Sequence, residues 1–221
     1  MNLSKYIDHT VLKATTEPKD IIKLCAEAKE HKFFSVCVNG CYVELAAKEL
    51  AGTDVKVCAV IGFPLGAMST KSKVFEAKTC IEDGASEIDM VINIGMLKAG
   101  ETEYVKNEIA AIKEAIGTNV LKVIIENCYL TDAEKKIATQ LCLDAKADFV
   151  KTSTGFGTGG ATFEDIMLMK EIVGDKAELK AAGGVRDLAT AEKYISLGVT
   201  RLGTSSGVEL VTTGTADPNK Y

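Results

Sequence analysis

Ala147-Asp148-Phe149-Val150-Lys151 is a short apolar run that ends on a lysine, and Thr152-Ser153-Thr154-Gly155-Phe156-Gly157 follows it at once. The first five residues have the length and composition of a buried strand, and the hydroxyl- and glycine-rich segment reads as the loop that leaves it. A lysine at the mouth of such a strand sits in low dielectric. That disfavours its ammonium form and offers a neutral, nucleophilic amine to a carbonyl carbon.

The same kind of run recurs along the chain at roughly even intervals. Tyr6-Ile7-Asp8, Phe34-Ser35-Val36-Cys37-Val38, a segment over residues 55–61, Glu87-Ile88-Asp89-Met90-Val91-Ile92, Leu121-Lys122-Val123-Ile124-Ile125, Glu178 to Ala182 and Thr200-Arg201-Leu202 complete a set of eight strand signals. Helical spacing lies between them. Val105, Ile109, Ile112 and Ile116 form a stripe stopped by Gly117, and Ile21, Leu24, Cys25 and Ala28 form another after Pro18. Thr131 with Glu134 is a capping-box pattern, and Thr162 with Asp165 is a weaker one.

Eight alternating units in 221 residues, with no Pro/Ser-rich linker, predict an α/β chain folded as a single-domain (β/α)8 TIM barrel over residues 1–221. An open doubly wound sheet alternates in the same way, but it gathers a ligand at one switch point. The polar residues planted in strands, Asp8, Asp89, Lys122, Lys151 and Lys180, are spread over many strands, as one rim of a barrel requires.

Lys plus Arg number 26 against 31 Asp plus Glu, a net charge of -5 that argues against nucleic acid and against a polybasic membrane patch. The seven cysteines, at 25, 37, 41, 58, 80, 128 and 142, are scattered through apolar segments as small core residues of a reducing compartment. Neither His9 nor His31 has a second ligand nearby at zinc spacing, so no metal is expected. The opening MNLSKYIDHT has no apolar h-region, and a cytoplasmic location without membrane contact follows. The polar tail from about residue 212 is expected to be mobile; a sharper reading folds the Tyr221 phenol over the open rim to assist proton transfer.

Buried charges are costly unless paired, so five in one small domain must converge. A lone strand lysine such as Lys122 has another outlet, its stem packed on apolar surface and its amine in water. Lys151 and Lys180 on successive strands should reach the same rim, and a second cation depresses the first amine's pKa. Asp89 faces the pleat opposite Ile88 and Met90, toward the interior, where it would balance charge or carry protons. The glycine motifs at residues 180–186 and 202–208 follow the seventh and eighth strands, where barrels bind phosphate on bare amides and a short helix start.

These segments together (IDHT, VCVN, VIGFPLGA, EIDMVINIG, LKVIIE, ADFVKTSTGFGTGGAT, LKAAGGVRD and RLGTSSG) closely resemble the class I, Schiff-base-forming aldolase family that acts on 2-deoxy-D-ribose 5-phosphate, over essentially the whole chain. The resemblance implies a cofactor-free lyase of deoxyribonucleotide catabolism that splits the sugar phosphate reversibly into D-glyceraldehyde 3-phosphate and acetaldehyde. It implies Lys151 as the Schiff-base lysine, Lys180 as the cation beside it and Asp89 as the proton relay. Asp8, Cys37, Lys122, Thr154 and Gly155 would line the substrate site, and Gly183, Gly184, Gly203, Ser205 and Ser206 would hold the phosphate. Ala14 and Gly40 stand where the family usually has proline, and Ala182 replaces a common serine. Apolar helix faces on such a barrel point to a homodimer or a higher homo-oligomer. An isomerase using Asp89 as a carbon-acid base, or a sugar-phosphate sensor, would share the phosphate loops without needing both lysines.

Overall fold

The computed structural model describes residues 2–216. Eight strands, β1 (Ile7–Thr10), β2 (Ser35–Asn39), β3 (Lys56–Ile61), β4 (Glu87–Val91), β5 (Val120–Ile124), β6 (Phe149–Lys151), β7 (Glu178–Ala182) and β8 (Arg201–Thr204), pair in parallel with their sequence neighbours. β8 pairs back onto β1 through Asp8 opposite Gly203, so the sheet closes into a barrel. The helices are α1 (Pro18–His31), α2 (Val43–Glu49), α3 (Thr70–Glu82), α4 (Ile94–Lys98), α5 (Thr102–Ile116), α6 (Asp132–Asp144), α7 (Phe163–Val173), α8 (Leu188–Ser196) and α9 (Gly207–Thr212). The predicted TIM barrel is the observed fold.

Local chemistry sets the helix starts. Thr131 accepts from Glu134 N while the Glu134 side chain accepts from Thr131 N, the reciprocal box expected ahead of α6. Thr162 caps α7 by accepting from Asp165 N. Pro18 opens α1, where its missing N–H costs no hydrogen bond.

Alternation along each strand divides the protein into two interiors. Outward-facing residues such as Val36, Ile88, Met90, Val123, Val150 and Leu202 pack against helix residues such as Ile21, Leu24, Ile109, Ile112 and Ile166 in one large core. Each such aliphatic side chain contributes about 1.5–3 kcal/mol by leaving water. Inward-facing residues are mostly polar.

Residues 214–216 lie against the start of α8: Leu188 N donates to Gly214 O at 2.8 Å, and Ala216 N donates to Arg186 O at 2.8 Å. Tyr221 lies outside the described residues. Among the described residues, no helix is long and apolar enough to cross a membrane.

One buried ion pair outside the barrel ties α3 to α5. Lys73 Nζ donates to Glu108 Oε2 and to the Val91 carbonyl, each at 2.8 Å, with both side chains fully buried. Burial lowers the Lys73 pKa, and Glu108 opposes that shift. Lys73→Met leaves a buried carboxylate unpaired, so urea unfolding at pH 7 is expected to show a loss of about 3–5 kcal/mol. The double variant Lys73→Met/Glu108→Leu is expected to regain most of it.

Candidate active site

The inward faces of the strands place a column of charge along the barrel. At the end where the strands begin, Arg201 spans from β8 to β4, with Nη2 2.6 Å from Glu87 Oε1 and Nη1 2.5 Å from Asp8 Oδ1. Its guanidinium lies 3.3 Å from the Phe34 ring centroid, with the Phe149 ring on a second side at 5.5 Å. Lys122 Nζ stands one step higher, 2.6 Å from Glu87 Oε2 and 2.9 Å from Asp89 Oδ1. Ser35 Oγ donates to Asp8 Oδ1 at 2.7 Å.

Asp89 Oδ2 is the junction at the open end. It accepts from Lys151 Nζ at 2.7 Å and from Lys180 Nζ at 2.8 Å, and Lys180 reaches Asp8 Oδ2 at 2.5 Å. The register explains this convergence: Lys151 pairs with Lys180 across β6 and β7, while Asp89 pairs with Lys122 across β4 and β5. Lys151 is the last residue of β6, whereas Lys180 is the central residue of β7 and not its end. Lys151, Lys180, Asp89, Lys122 and Asp8, predicted separately from five strands, form one cluster.

Asp89 and Asp8 keep their charge against their burial. Burial pushes the Asp89 carboxyl up, but Lys122, Lys151 and Lys180 together hold it well below its ordinary value of 3.8. Asp8 is likewise lowered, by Lys180, Lys122 and Arg201. Burial pulls Lys122 and Lys180 down, and their carboxylate partners raise both above 10.5. Lys122 is fully buried, so its amine does not reach water as a lone strand lysine's would.

Cys37 and Cys58 face each other across β2 and β3, both fully buried. Cys58 Sγ donates to Asp89 Oδ1 at 3.1 Å, and Lys122 Nζ donates to Cys58 Sγ at 3.3 Å. A hydrogen bond from Cys58 lowers the Cys37 pKa, while burial raises that of Cys58. Cys37, Cys58 and Asp89 bring ligand atoms within 4.8 Å of one another, the spacing of a metal site. A divalent ion there would have to displace lysine from Asp89 amid four cationic groups, so the donor set suits protons better than metal.

The loop leaving Lys151 is strung between its neighbours. Thr152 Oγ1 bonds the Ala182 backbone on β7. Thr154 donates from both its N, at 3.1 Å, and its hydroxyl to the buried Glu126 carboxylate, and the same hydroxyl accepts from Phe156 N at 2.9 Å. Glu126 has φ 53, and burial raises its pKa against the pull of Thr154 and Lys151. Gly155, with φ 86, is exposed beside it.

Of the predicted phosphate residues, Gly183 and Gly184 follow β7, Gly203 lies within β8, and Ser205 and Ser206 follow β8. Gly183 and Gly184 adopt φ 80 and 84, open to glycine and strained for other residues. Gly203 faces Lys180: an added Cβ would lie 3.2 Å from its Cε. Ser205 is exposed and Ser206 buried ahead of α9, with Ser206 N donating to Thr204 Oγ1 at 3.0 Å. Sequence reasoning did not single out Glu87, Arg201, Cys58, Ser35 or Glu126. The spacing of Glu87 two residues before Asp89, which puts both on one face of β4, was the available signal.

Residues 3–207 match the family described as DeoC/LacD family aldolase. The chain is 57% identical over 212 residues to the deoxyribose-phosphate aldolase of Brevibacillus brevis, covering 96% of each protein. It is 55% identical over 214 residues to that of Deinococcus radiodurans, covering 97% of each. Among solved structures, the tetrameric deoxyribose phosphate aldolase of Aeropyrum pernix superposes with a TM-score of 0.88 at 30% identity, covering 96% of this chain and 90% of that one.

The pKa shifts fix how stability depends on pH. Asp8 and Asp89 are lowered in the folded state, so their contribution is complete above the unfolded carboxylate value and is lost as pH falls through the folded ones. Lys122 and Lys180 are raised, so theirs is complete below 10.5 and lost as pH rises through their folded values. Urea midpoints are expected to fall steeply below about pH 4 and to owe no slope to these groups between about pH 5 and 9. Asp8→Asn, which strips Lys180 and Arg201 of a shared carboxylate, is expected to cost about 3–5 kcal/mol at pH 7 and to show a shallower acid limb.

Proposed function

Because the chain belongs to the DeoC/LacD family of aldolases, we propose that it cleaves 2-deoxy-D-ribose 5-phosphate reversibly to D-glyceraldehyde 3-phosphate and acetaldehyde through a Schiff base on Lys151. The observation that carries the residue assignment is the meeting of Lys151 and Lys180 on one oxygen of Asp89 at the open end of the barrel. An isomerase or a sensor has no use for that junction.

The charge count supports a nucleophilic amine. Among the described residues, the column joins Asp8, Glu87 and Asp89 to Lys122, Lys151, Lys180 and Arg201, so one positive charge is in excess. Arg201 cannot give up a proton, and Lys122 and Lys180 are each held by two or more acceptors. Lys151 bonds Asp89 alone among the carboxylates and ends its strand at the rim. It is the amine that can pass a proton through Asp89 and turn to substrate while Lys180 keeps the carboxylate charge-balanced.

The neutral amine adds to the C1 aldehyde, and loss of water from the carbinolamine gives a protonated imine. Removal of the C3 hydroxyl proton sends the C2–C3 bonding pair into that imine. D-glyceraldehyde 3-phosphate leaves, and an enamine remains on Lys151. Protonation at C2 and hydrolysis then release acetaldehyde and restore the amine. Asp89 and Lys180 carry these protons through water, with Lys122 and Asp8 fixing Asp89 and Lys180 from below. Cys37, Thr154 and Gly155 border the sugar, and the amides and hydroxyls at Gly183, Gly184, Gly203, Ser205 and Ser206 receive the phosphate.

The working form is proposed to be a homo-oligomer, since Phe75 on α3 is 73% exposed and the Aeropyrum pernix relative is a tetramer. Seven unpaired cysteines support a cytoplasmic setting. Acetaldehyde with borohydride is expected to fix one ethyl group per chain, found by peptide mass mapping on Lys151. Lys151→Ala should remove both the label and turnover, and labelling of another lysine would overturn the assignment.

A further inference from the structure

The two sides of the cavity differ in chemistry. Glycine amides and small hydroxyls lie after β7 and β8, whereas Leu12, Cys37, Cys58 and Val60 form an apolar cluster of their own, separate from the helix-facing core, with Phe63 packed on it. This wall abuts Asp89, the carboxylate that holds the reacting amine: Val60 pairs in register with Asp89, and Cys58 Sγ lies 3.1 Å from its Oδ1.

Phe63 is held firmly. Gly66 N donates to Gly62 O at 2.7 Å, and Gly62 N donates to Glu76 Oε2 at 2.8 Å. Gly66, at φ 66, lies so close to the Ile92 carbonyl that an added Cβ would collide with it. The Phe63 ring then meets that of Phe156 edge to face, with centroids 5.3 Å apart at 88°. Phe156 stands in the loop after β6, so the pair joins the loop after β3 to the loop after β6, on the side of the barrel where β4 and β5 carry Asp89 and Lys122 at their centres.

We propose that this wall of Leu12, Val60 and Phe63, roofed by the Phe63–Phe156 pair, is the size filter for the aldehyde that Lys151 carries. The inference rests on the reaction above. With phosphate in the loops after β7 and β8, the three-carbon fragment occupies that side, and the carbon of the enamine that would bear any further substituent faces the apolar wall. A two-carbon donor fits against it, and each additional methylene must displace a branched side chain or a ring fixed by the Gly62–Gly66 turn. The same wall keeps water from the enamine before D-glyceraldehyde 3-phosphate arrives.

The test compares kcat/KM for propanal and acetaldehyde in condensation with D-glyceraldehyde 3-phosphate. Phe63→Ala and Leu12→Ala are each expected to raise the propanal-to-acetaldehyde ratio by at least about tenfold over wild type, the scale of one methylene in an apolar pocket. A smaller rise overturns the filter, even where both rates fall, because loss of fold or of chemistry lowers the two donors together. Should Phe63→Ala not fold, the same threshold applies to Phe156→Ala, whose ring is 47% exposed on its loop. Wild type is assayed alongside for acetaldehyde release from 2-deoxyribose 5-phosphate. No release overturns the reaction itself, whereas release with unchanged donor ratios overturns the filter alone.

Discussion

The barrel interior is built around the requirement that no charge taken out of water stands unpaired. An isolated ammonium or carboxylate at this depth would cost several kcal/mol, and removing one partner of a buried pair exposes the other to that cost. The column from Arg201 and Glu87 through Asp8 and Lys122 to Asp89, Lys180 and Lys151 therefore holds together as a whole. It also fixes strand register, since a one-residue slip of β4 would send Glu87 and Asp89 into the apolar layer facing the helices. The hydrophobic core closes the barrel, and the charges decide which residues face inward.

The column is graded from one end to the other. At the bottom Arg201 is locked between two carboxylates and two aromatic rings, an arrangement with no proton to give. Higher up, lysines replace arginine, and the last of them meets a single carboxylate. Lys151, at the top, shares its carboxylate oxygen with Lys180. Structural rigidity at the base and proton mobility at the rim are thus two ends of one network, and Asp89 belongs to both.

Much of this was legible in the sequence, for physical reasons that also set the limit. Parallel barrel strands are short and buried on both faces, so they stand out as β-branched runs, and a lysine or aspartate inside such a run must have a partner. That argument found Lys122, Lys151, Lys180, Asp89 and Asp8. It did not find Arg201 or Glu87, because they begin their strands, where a charge ordinarily meets solvent. Lys56 and Glu178 occupy the same position in β3 and β7 and are exposed. The arrival of Asp8, Glu87, Phe34 and Phe149 around the guanidinium separates Arg201 from them, and those groups come from segments distant in sequence. Glu126 escaped for another reason, since it combines a left-handed backbone, unusual for a residue other than glycine, with bonds to Thr154 that no local pattern announces. Lys73 and Glu108, on separate helices, read as solvated positions until α3 and α5 meet.

The two chemistries of the cavity wall follow from the same closure. Glycine recurs where backbone amides must be exposed, after β7 and β8, and their loops offer donors that suit an anion. Branched aliphatic and aromatic side chains gather across the mouth, on and after β3 and after β1. Under the proposed reaction, a substrate carrying phosphate at one end and a bare aldehyde at the other would satisfy both walls in one orientation, with its carbonyl beside Lys151. Orientation would thereby be decided before any bond forms, by groups that take no part in the proposed bond-breaking step. The effective concentration of amine at the carbonyl rises accordingly. In that reading Lys151 would need no contact with the phosphate to discriminate between the two ends of its substrate.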